Sequence, residues 1–146
     1  MASVYGEYKV SMDAKGRLLV PADFRKQLPE SDVHTYVVKR GLDNCLTLYV
    51  LSEWEKLSQQ LDEMSAFNPK VQKFKRLFLD GINLLEVDSA GRILIPKPLQ
   101  EYAGLNKEII FWAQGNKVEV WDKASKEAYI AAQQQEEEDL ANELFN

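Results

Sequence analysis

The sequence of 146 residues holds one cysteine and one histidine. A single cysteine excludes an internal disulfide, and Cys45, with the apolar Leu46 beside it, reads as a small buried hydrophobe rather than a nucleophile. His34 lies among loop residues, so most zinc sites and Cys-His nucleophile arrangements are excluded as well. The glycines form neither a phosphate-cradling loop nor a Gly-x-Ser-x-Gly elbow. No run of about 18 apolar residues occurs, and the first residues show no basic region leading into an apolar core. Neither a membrane span nor a secretory signal is therefore expected, and the expected location is the cytoplasm. Nothing here calls for a cofactor, a metal or a small-molecule substrate, and the reading is of a protein that is not an enzyme.

Basic residues are missing from the end of the chain. All Lys and Arg lie at or before Lys126, whereas Glu136, Glu137, Glu138, Asp139 and Glu143 crowd the last stretch. The net charge of −5 is located there: setting those acids aside leaves 18 acidic residues against 18 basic ones. A neutral body with a local basic face is compatible with a nucleic-acid partner, so the overall charge does not decide the matter.

What the chain does contain is a stretch written twice. Asp13-Ala14-Lys15-Gly16-Arg17-Leu18-Leu19-Val20-Pro21 returns 75 positions later as Asp88-Ser89-Ala90-Gly91-Arg92-Ile93-Leu94-Ile95-Pro96. Asp-x-x-Gly-Arg, three aliphatics and Pro are common to both. Gly16 and Gly91 can take the positive φ of a tight reversal between strands. Asp13 and Asp88 can accept backbone amides and so set the shape of the turn. Arg17 and Arg92 stand at the strand exit, where a planar guanidinium suits phosphate oxygens or the O6/N7 edge of guanine. Two uses of these arginines stay open on the chemistry alone: a ligand contact, or a bridge to an aspartate that merely holds the fold. Asp13 and Asp88 could also meet as an acid/base pair, but the arginine beside each would keep it ionised.

The flanking pattern repeats as well. Tyr8-Lys9-Val10-Ser11-Met12 alternates as a half-buried strand does, and Leu84-Leu85-Glu86-Val87 enters the second turn. Each turn leads to a short helix, the first carrying Phe24 and Leu28 after Pro21, the second opened by Pro96 and Pro98 and closed by Gly104. A hairpin follows each: Tyr36–Lys39 with Cys45–Tyr49, then Ile109–Trp112 with Val118–Trp121, the second strands aligning at an offset of 72. Between the copies, Ser52 and Glu55 have the spacing of a capping box for a helix bearing Trp54, Leu57, Leu61 and Met64. Asn68 then caps a helix that starts at Pro69 and ends before Gly81, and Lys70, Lys73, Lys75 and Arg76 give it a basic face. Asp122 can cap a last helix. Beyond it Leu140, Leu144 and Phe145 are spaced to pack against something, a neighbouring subunit for instance, unless the end frays.

The expected division is therefore 7–54 for the first repeat, 55–82 for connecting helices, 83–126 for the second repeat and 127–146 for a C-terminal helix with an acidic end. A repeat of about 45 residues is too small to bury a good core alone, so the copies should interlock around a pseudo-two-fold axis.

Read together, these segments resemble the MraZ family along almost the whole chain. The resemblance rests on Gly6, Asp13 to Arg17, Pro21-Ala22 with Phe24-Arg25, Leu48-Tyr49 with Glu53-Trp54, Asn68-Pro69, Arg76, Asp88 to Arg92, Ala103-Gly104-Leu105, Lys107-Glu108 and Glu119 with Trp121. It implies an α+β fold of two AbrB-like β-α-β-β units joined in one swapped-hairpin barrel, with added helices in the middle and at the end. It also implies a ring of subunits that binds short direct repeats of double-stranded DNA in the promoter of its own division and cell wall gene cluster. Such a protein would regulate transcription and associate with the nucleoid. Arg17 is the residue the resemblance points to for DNA contact, with Lys15, Lys9 and Arg25 holding phosphate. Arg92 is the weaker candidate, because Ala90 stands where the first turn has Lys15. The alternative within the same fold is an antitoxin-type module whose main ligand is a protein.

Overall fold

The computed structural model describes residues 3–146. Its first repeat comprises β1 (Val4–Ser11), β2 (Arg17–Leu19), α1 (Ala22–Arg25), β3 (Thr35–Arg40) and β4 (Leu46–Val50). Two connecting helices follow, α2 (Leu51–Glu63) and α3 (Pro69–Leu79). The second repeat is β5 (Asn83–Glu86), β6 (Arg92–Leu94), α4 (Lys97–Tyr102), β7 (Glu108–Gly115) and β8 (Val118–Asp122), and α5 (Lys123–Gln133) and α6 (Glu137–Phe145) complete the chain.

The two repeats exchange strands. The opening strand of each pairs with the hairpin of the other, β1 with β7 and β5 with β3, and β4 joins β8 in the middle. The resulting six-stranded antiparallel sheet has the order β1-β7-β8-β4-β3-β5. At its centre Thr47 faces Glu119, its own counterpart at the offset of 72. The short strands form a separate ribbon, β2 with β6, whose middle pair Leu18 and Ile93 are counterparts at the offset of 75. These two self-paired positions mark the pseudo-two-fold axis.

The expected closed barrel is not what forms. The sheet is open, with β1 and β5 as its edges, and Leu18 of β2 makes an isolated bridge to Met12, the residue after β1. The physical reason lies in the ribbon's length. Pro21 and Pro96 lack the N–H that a longer ladder would need and turn the chain into α1 and α4. The ribbon instead covers one face of the sheet, where Leu18, Val20, Ile93 and Ile95 join Tyr36, Leu48, Phe111 and Val120 in the main core. The other face holds a smaller cluster of Cys45, Ile110 and Trp121, packed by Trp112 and by Tyr129 of α5.

Local signals met different fates. Asn68 caps α3 by accepting the Lys70 amide at 2.9 Å, and Asp122 caps α5 by accepting the Ser125 amide at 3.2 Å. The capping box at Ser52 and Glu55 does not form. α2 begins two residues earlier than a cap at Ser52 would place it, and Asp32, 1% exposed, accepts both the Ser52 amide at 3.0 Å and its hydroxyl at 2.6 Å. A buried carboxylate needs every donor it can reach, so it outcompetes the local cap. Cys45 is buried, and that burial pushes its thiol up to about 12, which leaves it a hydrophobe.

Candidate nucleic-acid interface

Both Asp-x-x-Gly-Arg turns close in the same way. The Asp13 amide donates to the Arg17 carbonyl at 2.9 Å and the Gly16 amide to the Asp13 carbonyl at 3.0 Å; in the second turn the matching distances, Asp88 to Arg92 and Gly91 to Asp88, are 2.9 and 3.0 Å. Gly16 at φ 89° and Gly91 at φ 83° occupy the conformation that side chains resist. Asp13 Oδ1 accepts the Lys15 and Arg17 amides at 3.0 and 2.9 Å, and Asp88 Oδ1 accepts those of Ala90 and Arg92, both at 2.9 Å. The second oxygen of each carboxylate takes the arginine Nε, at 2.8 Å in the first turn and 3.0 Å in the second.

That bond settles where the arginines go. Each bridges to its own aspartate through Nε, so the acid/base pairing of Asp13 with Asp88 does not arise. The bridge leaves the two terminal nitrogens of each guanidinium for another partner. Arg17 is 33% exposed and Arg92 36%, half-buried along the stem and open at the surface. In the ribbon, Arg17 lies opposite Leu94 and Arg92 opposite Leu19, so all share its outer face, away from Leu18 and Ile93. Strand geometry puts the two arginine Cα atoms roughly 8 Å apart. A fixed pair of guanidinium forks on an exposed face, with the apolar Leu19 and Leu94 between them, can grip anionic oxygens or read base edges.

The carboxylates hold this arrangement only while ionised. The Arg17 backbone amide, and after it the Arg17 side chain, keep Asp13 below the ordinary value of 3.8, and Arg92 does the same for Asp88. Because the folded values are depressed, the stability these groups contribute is complete above 3.8 and is lost as pH falls through the folded values. The D13N/D88N variant should therefore melt lower than the parent at neutral pH and lose less further stability below pH 3.8. Thermal melts followed by circular dichroism across that range check this, and an unchanged acid limb would refute it.

The other predicted site residues divide. Lys15 is exposed at the tip of the first turn. Arg25 is near the second turn rather than its own: a Cβ built on Gly91 would meet Arg25 Nη2 at 3.1 Å. Its counterpart at the offset of 75, Gln100, takes the same place over Gly16, with Cδ at 2.8 Å from such a Cβ, and its amide donates to the Ile95 carbonyl at 2.7 Å. Each turn thus has two cations, Lys15 with Arg17 in one and Arg25 with Arg92 in the other, so the loss of a lysine at Ala90 is offset from α1. The Arg25 Nε is buried and unpartnered among the described residues. Lys9 is not brought to the turns. It pairs across β1 and β7 with Ile110, on the sheet face under α5, and lines a cavity there with Glu7, Lys123 and Lys126. Sequence reasoning missed Lys107, whose carbonyl accepts the Met12 amide at 2.8 Å and which lines a shallow cavity with Asp13, Ala14 and Gln100. It missed Gln100 too, though the repeat offset from Arg25 was available to find it. Among the described residues no group of three or more His, Cys, Asp or Glu gathers to hold a metal ion, and no helix is long and apolar enough to cross a membrane.

Comparison with known proteins agrees with the duplicated turn. A family model described as "MraZ protein, putative antitoxin-like" matches twice, over residues 4–77 and 78–145. The chain belongs to the MraZ family. Its relatives include proteins named transcriptional regulator MraZ from Acetivibrio thermocellus, 41% identical over 140 residues, and from Marinomonas sp., 42% identical over 145 residues; each match covers 96% of this chain and 95% of the relative. A third, from Christiangramia forsetii, is 39% identical over 146 residues and covers 99% of this chain and 94% of the relative. The boundary between the two family matches falls near the end of α3, so α2 and most of α3 belong to the first MraZ unit and α5 and α6 to the second.

Proposed function

We propose that this MraZ-family chain is a transcriptional regulator that binds double-stranded DNA in sequence-specific fashion. It acts as a ring-shaped homo-oligomer on short direct repeats in the promoter of its own division and cell wall gene cluster, in the cytoplasm at the nucleoid. The observation that carries this reading is the ribbon face, where two guanidinium groups are anchored through Nε and left open at their ends. Regulator names among the relatives support the same reading. Arg17 takes the guanine edge, and Lys15, Arg25 and Arg92 hold phosphate or a second base. One chain supplies few cations, and affinity for duplex grows with the phosphates neutralised. A ring repeats the ribbon face at intervals, so weak contacts act together on spaced sites.

A titration of labelled promoter duplex at increasing salt tests this. Binding should weaken steeply, with log K falling linearly against log salt at a slope of about −0.9 for each phosphate contacted. Absence of binding at low salt, or binding indifferent to salt, would overturn the proposal. The antitoxin-type reading has one observation in its favour, the family description. It predicts a protein retained from lysate at salt that strips DNA.

A further inference from the structure

Two helices present apolar faces to solvent, and their charges are opposite. α3 buries none of its residues. Phe74 is 46% exposed and Leu77 64%, neighbours at a spacing of three on one face, and Lys70 and Lys73 border them. α6 also buries nothing, and its Leu140 and Leu144, 46% and 76% exposed, are neighbours at a spacing of four bordered by acids. α3 carries four basic residues and no acid, whereas 136–146 carries five acids and no base.

We propose that α6 of one copy docks on α3 of a second copy, the leucines of α6 covering Phe74 and Leu77 while the acidic and basic rims pair. The charges choose this arrangement over its rivals. Two α3 faces meeting would oppose like charge, as would two α6 faces, so no symmetric dimer built on either helix is favoured. Pairing α6 with α3 joins two different patches, and each added copy leaves one of each patch free. Such a contact propagates until the rotation closes it into a ring. This deepens the self-association in the function proposed above and rests on that part of it, whereas the contact of Arg17 with DNA does not depend on it.

The test uses two full-length variants, L77D on α3 and L144D on α6, weighed by light scattering after size exclusion. Each puts a carboxylate into the seam and disables one patch. The parent should be a large oligomer and each variant alone a monomer. An equimolar mixture should form a dimer and nothing larger, because one intact α3 and one intact α6 remain between the two chains. That dimer also shows that both variants are folded. A variant that keeps the parent's mass, a mixture that stays monomeric, or a monomeric parent would overturn the proposal. Promoter-duplex binding by the same samples separates the outcomes: a parent that assembles as expected but ignores DNA refutes the proposed DNA binding and leaves the α3–α6 contact standing, whereas a monomeric parent that binds DNA refutes the contact and the ring and leaves the assignment of Arg17 to DNA standing.

Discussion

Arg17→Ala should abolish the retardation of promoter duplex while leaving secondary structure, melting and the number of subunits in the oligomer as they are. The guanidinium is held at one edge only, through Nε to Asp13, and its exposed end is the part assigned to DNA. A bidentate contact to guanine contributes about 1–3 kcal/mol of discrimination, which is about five- to 150-fold for each chain engaged. In an oligomer the losses multiply across chains, so the whole shift disappears rather than weakening. The fold should not notice, because a solvent-exposed ion pair such as that of Arg17 with Asp13 adds little to stability. The Arg17→Lys variant sharpens the point: it keeps the charge but not the planar fork, so it should retain salt-sensitive binding and lose preference for the promoter sequence. Should Arg17→Ala unfold, break the oligomer or bind as before, the arginine is a structural strut and the DNA assignment falls.

What could be read in advance was whatever the repeat encodes locally. The offsets of 75 and 72 carry the pairing of the two repeats, since Leu18 pairs with Ile93 and Thr47 with Glu119 across the axis that those offsets imply. The turns were legible because Asp, Gly and Arg each have one evident task within five residues. Arg25 was not. It follows the first turn in sequence, yet the exchange of strands brings α1 against the turn of the other repeat, and spacing along a chain does not reveal which copy a helix will meet. The position of Lys9 was hidden for a related reason. Alternation shows that Lys9 faces away from Tyr8 and Val10, but only the position of the ribbon decides which sheet face lies away from the turns. The capping box at Ser52 lost to Asp32, twenty residues upstream, a competitor invisible at the range over which a box is read. The open sheet was masked by the resemblance itself, which suggested closure, although Pro21 and Pro96 were present to cut the ribbon short.

Phe24→Ala should cost about 3–5 kcal/mol of folding stability, a large share of what a domain of this size possesses. Phe24 is fully buried, and its ring meets Phe111 edge-on at 5.0 Å and Tyr8 at 6.4 Å. Phe111 belongs to the second repeat, so this one side chain ties the helix of one copy to the hairpin strand of the other. Its removal leaves a cavity that rigid neighbours in the sheet cannot fill. The counterpart at the offset of 75 is Leu99, 3% exposed, which shows that an aliphatic side chain can serve at this position of the repeat. Phe24→Leu should accordingly lose much less. Denaturant melts give both numbers, and an alanine variant within 1 kcal/mol of the parent, about fivefold in the folding constant, would mean that the repeats do not depend on each other here. Gln100, rather than Phe24, covers the first turn, so the folded fraction of either variant should still bind promoter duplex. On the proposed function, stability and recognition thereby separate on neighbouring elements: the aromatic contact joins the repeats, and recognition is assigned to the arginine of the ribbon.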